Sequence, residues 1–88
     1  MRLKYTFEIV DTGSELIAVP IGLNAKELRG VVKLNAEGSE IFHLLQTDIS
    51  EEEIVEILSQ KYENNKDILR MYVHTFLNSL LHDNLIEV

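Results

Sequence analysis

Residues 29–45, RGVVKLNAEGSEIFHLL, change from a strand pattern to a helix pattern at Asn35. The residues before Asn35 form a short apolar run that is typical of a strand. After it, Ile41, Leu44 and Leu45 recur at the i, i+3 and i+4 spacing of one helix face. Asn35 itself is a favoured N-cap residue. The sequence therefore predicts strands before Asn35 and helices after it.

Two more strands are predicted upstream. Residues 3–9 alternate apolar and polar side chains, and residues 16–21 are rich in strand-forming side chains. The turn-forming residues 11–14 separate them, so we expect a hairpin. Pro20 has no N–H and should lie where no ladder bond is needed. With residues 29–34 as the third strand, the pattern predicts an antiparallel meander whose third strand lies at an edge.

Three helices are predicted after Asn35. Ser50 and Glu53 form a capping box that starts a second helix over residues 51–62, and residues 64–65 cap a third that ends near residues 83–84. The apolar side chains expected in the core are Ile54, Ile57, Leu58 and Tyr62 of the second helix and Leu69, Tyr72, Val73, Phe76, Leu77, Leu80 and Leu81 of the third. Residues 85–88 form either a short strand or an extended tail. The predicted fold class is α+β and winged-helix-like, a three-stranded antiparallel sheet followed by three helices.

The length and charge of the chain exclude several classes of protein. Its 88 residues have room for one domain, which we expect to span residues 1–88. The formal net charge of −7 disfavours nucleic acids and anionic membranes as partners. Cysteine is absent, and no apolar stretch has the length of a signal peptide or a membrane span. We therefore expect a cytoplasmic protein.

Residues that could support catalysis or metal binding do not form a recognisable motif. His43, His74 and His82 lack the i, i+3 or i, i+4 spacing of metal ligands on one helix. The acidic residues 51–53 are explained by the favourable field at a helix N-terminus. The glycines and serines match no phosphate-binding or nucleophile motif. The sequence predicts a protein that is not an enzyme and has no cofactor or metal.

A DNA-binding winged helix is one alternative. Such a protein places its third helix in the major groove, where basic and amide side chains contact the bases. The exposed side of this third helix carries Asp67, Arg70, His74 and Asn78, which is a weakly basic set. A regulator that binds DNA therefore stays an alternative hypothesis.

The third strand offers a different kind of site. Only Arg29 and Lys33 would block its edge, whereas residues 30–32 leave the backbone approachable. On these residues alone, the favoured explanation is that residues 85–88 or a second copy of the chain covers this edge. An open edge would instead accept an extended peptide as an added strand. A strand-paired dimer is thus a further alternative.

Several short motifs, taken in order, give the chain a family resemblance. They are Val19-Pro20, Leu34-Asn35-x-Glu37-Gly38, Ile41-Phe42-x-Leu44-Leu45, Ser50-x-Glu52-Glu53-Ile54 with Leu58 and Tyr62, Val73-x-x-Phe76-Leu77-x-x-Leu80, and Leu85-Ile86. In this order and spacing the chain resembles the pyrroloquinoline quinone biosynthesis protein D (PqqD) group. The fold of that group is the recognition element for precursors of ribosomally made, modified peptides. The resemblance covers nearly the whole chain.

The resemblance implies a peptide chaperone without catalysis of its own. In that family the leader segment of a precursor peptide adds as a strand beside strand three and lies against helix three. The domain then presents the peptide to a modifying enzyme, often a radical SAM protein. The sequence is compatible with a monomer or a homodimer. Carried onto this sequence, the peptide-binding residues are Gly30, Val31, Val32, Lys33 and Leu34 on the strand and Ile68, Tyr72 and Thr75 on the helix. The opposite flank of the helix, with Arg70, Leu77 and Leu81, is the alternative groove wall.

Overall fold

The computed structural model describes residues 1–22, 30–62 and 65–88. Among the described residues, strands precede Asn35 and helices follow it, as the change of pattern at Asn35 predicts, and a last short strand lies after the helices. The elements are β1 (Arg2–Leu3), β2 (Thr6–Asp11), β3 (Leu16–Ile21), β4 (Val32–Leu34), α1 (Ala36–Leu44), α2 (Glu51–Lys61), α3 (Lys66–His82) and β5 (Ile86–Glu87). Arg29 and Asn64, which the sequence assigned to the third strand and to the cap of the third helix, lie outside the described residues.

The main sheet has the order β2-β3-β4, with antiparallel pairing throughout. The predicted meander and the edge position of its third strand are confirmed. Phe7 and Ala18 point to the buried face of the sheet, whereas Glu8 and Lys33 point to solvent. One face of the sheet therefore packs on the helices, which gives the predicted α+β fold.

The first predicted strand is divided in two. The expected alternation over residues 3–9 is present, because Leu3, Tyr5 and Ile9 all pack against the core. The backbone, however, changes partner before Thr6. The Leu3 N–H donates to the Leu45 carbonyl at 2.9 Å, and the Lys4 N–H donates to the Leu85 carbonyl at 2.8 Å. These bonds direct β1 away from the main sheet.

The third predicted strand is shorter than residues 29–34. β4 begins at Val32, and Gly30 before it has a φ of +87°, outside the range of extended strands. Continuing the register of β3 and β4 would bring Pro20 opposite Gly30. Since proline has no N–H to donate, the ladder ends before that pair.

The three helices begin and end close to their predicted boundaries. The Asn35 side chain accepts a hydrogen bond from the Gly38 N–H at 2.8 Å and caps α1. Ser50 and Glu53 form both bonds of the predicted capping box at the start of α2. Asn65 caps the start of α3, and its C-cap is Asp83, at the predicted end of the helix.

The core lies between the sheet and the inner faces of the helices. Its fully buried side chains include Ile41, Phe42, Leu45, Ile54, Val55, Leu58, Val73 and Leu80. Two residues expected in the core, Ile57 and Leu81, are exposed instead. The buried face of α2 is centred on Ile54, Val55 and Leu58, so Ile57 falls outside it. On α3, Leu81 lies beyond the edge of the face that carries the buried residues.

The C-terminal residues form a strand, which decides between the two predicted alternatives. β5 pairs antiparallel with β1, bringing Arg2 opposite Glu87 and Leu3 opposite Ile86. Leu85 and Ile86 are buried. The expectation that residues 85–88 cover the third strand is wrong, because residues 86–87 pair with β1 instead.

Candidate functional site: a strand edge beside a helix

β4 has a strand neighbour on one side only among the residues that the structure describes. Its partner is β3, which lies between β2 and β4 in the sheet. Val31, just before β4, is 49% exposed, and the Lys33 side chain reaches toward Glu15 at 3.8 Å. An exposed ion pair of this length adds little stability. The edge of β4 is therefore open over the described part of the chain.

The hydrogen-bonding pattern identifies which backbone groups of β4 face outward. The Thr12 N–H donates to the Glu15 carbonyl at 3.0 Å, so these two residues form a hydrogen-bonded pair. Bonded and non-bonded pairs alternate along antiparallel strands. By this alternation Val32 bonds to β3, whereas Lys33, opposite Ile17, turns its N–H and C=O away from the sheet. These Lys33 groups are the ones that an added strand would use.

One flank of α3 lies beside the end of β4. The Tyr72 hydroxyl donates a hydrogen bond of 2.8 Å to the Asn35 side chain, and Asn35 directly follows β4. Ile68, one turn earlier on the same flank, is 63% exposed. Thr75 continues the flank and is also exposed. The helix residues chosen from the sequence thus share one side of α3.

The wall formed by Tyr72 is held in place by a series of aromatic rings. The Tyr72 ring stacks on Phe76 with centroids 6.2 Å apart. Phe76 meets Phe42 edge-on at 6.2 Å, and Phe42 meets Phe7 of β2 edge-on at 5.3 Å. Such pairs add to the free energy of burial and restrict ring motion. Tyr72 is therefore fixed by its ring and by its hydroxyl.

A shallow depression of about 280 Å³ lies between the start of α1 and this flank. Its lining is formed by Glu37, Ile68, Leu69 and Tyr72. Small-molecule sites usually occupy about 300–1,000 Å³, so this one suits individual side chains of a larger ligand. Burial raises the pKa of the Tyr72 phenol, and the nearby Glu37 carboxylate adds to that effect. We call the depression together with the open edge of β4 the β4–α3 groove.

The eight residues predicted for peptide binding do not all present side chains to this groove. Leu34 is buried in the core and Val32 packs against it, and the backbone groups of both face β3, so neither offers a free group to the groove. The predicted set of peptide-binding residues also omits Glu37, which lines the depression, and Asn35, which joins β4 to Tyr72. Both belong to the motif Leu34-Asn35-x-Glu37-Gly38, but the motif does not show that residues of α3 lie beside them.

The opposite flank of α3 faces α2 instead of β4. Arg70 lies 3.3 Å from Glu52 of α2, and Leu77 is buried. Lys66 pairs with Glu56 of α2 at 2.7 Å. Lys66 and Arg70 are the lysine and arginine of α3, and each has an acidic partner within the fold. This pairing weakens the DNA-binding alternative, which needs an uncompensated basic surface on α3.

Other kinds of site find no support in the described part of the chain. Over residues 1–22, 30–62 and 65–88, no three His, Cys, Asp or Glu side chains are grouped to hold a metal ion. His74 contacts Glu51 at 3.2 Å and Asn78 at 3.1 Å, both in exposed positions. None of the helices in these ranges is both long and apolar enough to cross a membrane.

Comparison with known families places this geometry in context. The family model "Coenzyme PQQ synthesis protein D (PqqD)" matches residues 23–86, which include β4, all three helices and the groove. The chain belongs to the PqqD family. The resemblance predicted from the sequence is confirmed. Among curated proteins, no sequence matches this PqqD-family chain.

A solved structure shares the fold of this PqqD-family chain. It is described as "TbiB1 in Complex with the TbiA(beta) Leader Peptide". The TM-score is 0.72, and the aligned region covers 99% of this chain and 95% of the other. The two sequences are 22% identical. At this level of identity the match shows a common fold.

Proposed function

We propose that the protein is a non-catalytic peptide chaperone built as one recognition domain over residues 1–88. It binds the leader segment of a ribosomally made precursor peptide as an added strand on β4, against Ile68, Tyr72 and Thr75 of α3. It then presents the peptide to a modifying enzyme, for which we propose a radical SAM protein. The observation that carries this proposal is the open edge of β4 beside a fixed, partly apolar helix flank.

Two comparisons support the proposal. The chain belongs to the PqqD family, and the solved structure with the same fold is a complex with a leader peptide. Strand addition explains how a short sheet binds an extended peptide, because the main-chain bonds supply affinity and the flanking side chains supply selectivity. With a peptide as its ligand, the chaperone needs no cofactor, and we place it in the cytoplasm with its precursor.

Lys33→Pro is the most direct test of strand addition. Proline removes the outward N–H of Lys33 while the bonds from Val32 to β3 remain, so we expect peptide binding to fall at least about tenfold. Lys33→Ala is the matched control, because it removes the ammonium group and keeps the N–H. The ligand for calorimetric titration is the short peptide encoded beside the gene, including its N-terminal leader.

The control variant and the amide spectrum decide the interpretation. Binding that is lost in Lys33→Pro and retained in Lys33→Ala, with both proteins folded by amide NMR, supports strand addition. Equal affinity of folded Lys33→Pro and the unchanged protein would exclude β4 as the strand that receives the peptide.

The open edge also favours a second candidate, a dimer paired through β4. Lys33→Pro would weaken that dimer in the same way, so sedimentation without peptide separates the two functions. A monomer at micromolar concentration that binds peptide supports the chaperone. A dimer that dissociates when Lys33 is replaced by proline supports strand pairing between copies.

A further inference from the structure

Glu37 is a carboxylate at the groove without a cation beside it in the described part of the chain. It lies in the first turn of α1, is partly buried, and lines the depression with Ile68 and Tyr72. The described ion pairs of the protein do not include it, nor Glu8 and Glu53, whereas Glu15, Glu40, Glu52, Glu56 and Glu87 each have a Lys or Arg partner. Glu37 thus places negative charge where a bound peptide would lie.

The geometry of strand addition determines which peptide side chains reach this depression. Side chains of a strand alternate between its two faces, so residues two apart point the same way. Peptide residues opposite Val32 and Leu34 would point to the same face of the sheet as those side chains, toward the helices that cover that face. Leu34 is one residue from Asn35, at the start of α1. Two alternate peptide positions therefore face the depression.

The lining of the depression has two chemical parts. Ile68 is an exposed apolar side chain, and the Tyr72 ring beside it is partly buried. Glu37 provides a negative charge, which favours a positive partner in surroundings that are less hydrated than bulk water. A peptide with one apolar and one basic side chain at alternate positions complements both parts.

We propose that Glu37 makes the groove selective for a leader segment that carries a lysine or arginine two positions from an apolar side chain. The apolar side chain packs on Ile68 and Tyr72, and the cation pairs with the Glu37 carboxylate. This selectivity rests on the proposed function, since it requires the peptide to add to β4. The proposal specifies two side chains of the peptide that the chaperone binds, one basic and one apolar.

A displayed library of short randomised peptides tests this selectivity. We expect the unchanged protein to enrich sequences with Lys or Arg two positions from an aliphatic or aromatic residue, and Glu37→Gln to lose that preference. Glu52→Gln is the matched control, because it removes one charge from the first turn of α2 and faces the other flank of α3. It corrects for attraction of basic peptides by the net charge of −7.

One enriched peptide is then synthesised in two versions, one with its Lys or Arg and one with Gln at that position. We expect the cation to strengthen binding about fivefold with the unchanged protein and with Glu52→Gln, and to have no effect with Glu37→Gln. A double-mutant cycle of this kind isolates the pair from the rest of the surface. An equal loss in Glu37→Gln and Glu52→Gln would overturn the proposal, because it would show a general charge effect.

Amide shifts separate a failure of this inference from a failure of the proposed function. Enriched peptides that shift the amides of residues 31–33 without a preference for basic side chains overturn the role of Glu37 and leave strand addition intact. Enriched peptides that leave those amides unmoved exclude strand addition, and the role of Glu37 falls with it.

Discussion

At the scale of single residues, Tyr72 connects the two sides of the groove. Its ring stacks on Phe76 of the same helix, and its hydroxyl donates to Asn35, which is 37 residues away in the chain. The Asn35 side-chain oxygen also accepts the Gly38 N–H that caps α1. A Cβ at position 38 would lie 3.1 Å from that oxygen, so glycine leaves room for both bonds. One asparagine therefore fixes both the helix start and the groove wall.

The tyrosine titration gives a prediction at this scale. Burial, with Glu37 nearby, raises the pKa of Tyr72 above its ordinary value of 10.0. The folded protein therefore keeps this proton to higher pH than the unfolded chain does. The stability that results is present below pH 10.0 and is lost as the pH rises through the raised pKa. In an alkaline titration followed by phenolate absorbance, we expect one of the three tyrosines to ionise late.

Tyr72→Phe should remove that late step. Tyr5→Phe is the control and should retain it, because Tyr5 is not among the groups that raise the pKa of Tyr72. A late step that persists in Tyr72→Phe would assign the raised pKa to another residue.

The residues of the groove were only partly predictable from sequence. Periodicity places Ile68, Tyr72 and Thr75 on one helix flank, but it does not say which strand that flank meets. The bond from Tyr72 to Asn35 decides this, and it depends on tertiary packing. Glu37 belongs to the motif Leu34-Asn35-x-Glu37-Gly38, but the local sequence contains no sign that a residue of α3 lies beside it.

At the scale of elements, local capping signals were the most reliable part of the sequence. Asn35, Ser50 and Asn65 all cap helices as expected, since each cap forms within a few residues of chain. The buried faces were predicted less well, as Ile57 and Leu81 show. Both fit the helical repeat, but a helix of this period has room for apolar residues just outside its buried face.

The capping box of α2 makes the prediction at this scale. Ser50→Ala removes the side-chain oxygen that accepts the Glu53 N–H at 3.1 Å, and we expect it to lower the free energy of unfolding by about 0.5–2 kcal/mol. Ser50→Asp keeps an acceptor at that position and should remain close to the unchanged protein. Urea unfolding followed by circular dichroism measures both. If Ser50→Asp were as unstable as Ser50→Ala, the loss would not come from the cap.

The strands depended more on distant contacts than the helices did. Residues 3–9 have the alternation of one strand, yet bonds to Leu45 and Leu85 divide it. The third strand begins only at Val32, because two residues earlier its partner would be Pro20, which has no N–H to donate. The sequence contained this proline, but only the register of β3 and β4 shows that its partner position is Gly30.

At the scale of the whole molecule, β1 and β5 join the beginning and the end of the described chain. Ile86 is 3% exposed at this junction, whereas Val88 two residues later is 99% exposed. A protein of this size is stabilised by about 4–13 kcal/mol in total. The packing of one buried side chain in the junction is therefore a substantial part of its stability.

Ile86→Ala tests this junction. Removing the buried methyl groups should lower the free energy of unfolding by about 2–5 kcal/mol, whereas Val88→Ala should change it by less than about 0.5 kcal/mol. Ile86→Val, with an expected loss of about 0.5–1.5 kcal/mol, gives a measurable value if the alanine variant does not fold. Thermal unfolding measures all three. Equal stability of the Ile86 variants and Val88→Ala would show that the junction contributes little.

The pairing of Arg2 with Glu87 also has a practical consequence. Because the two strands run side by side in opposite directions, Met1 and Val88 are neighbours in space. A tag or a fluorescent reporter fused at either end is therefore attached at the same corner of the fold. That corner belongs to a two-stranded ladder of its own, separate from the sheet that contains β4. A label on Val88, which is 99% exposed, leaves this ladder undisturbed, whereas a label on the Met1 ammonium would displace its hydrogen bonds to Asp48 and Ile49.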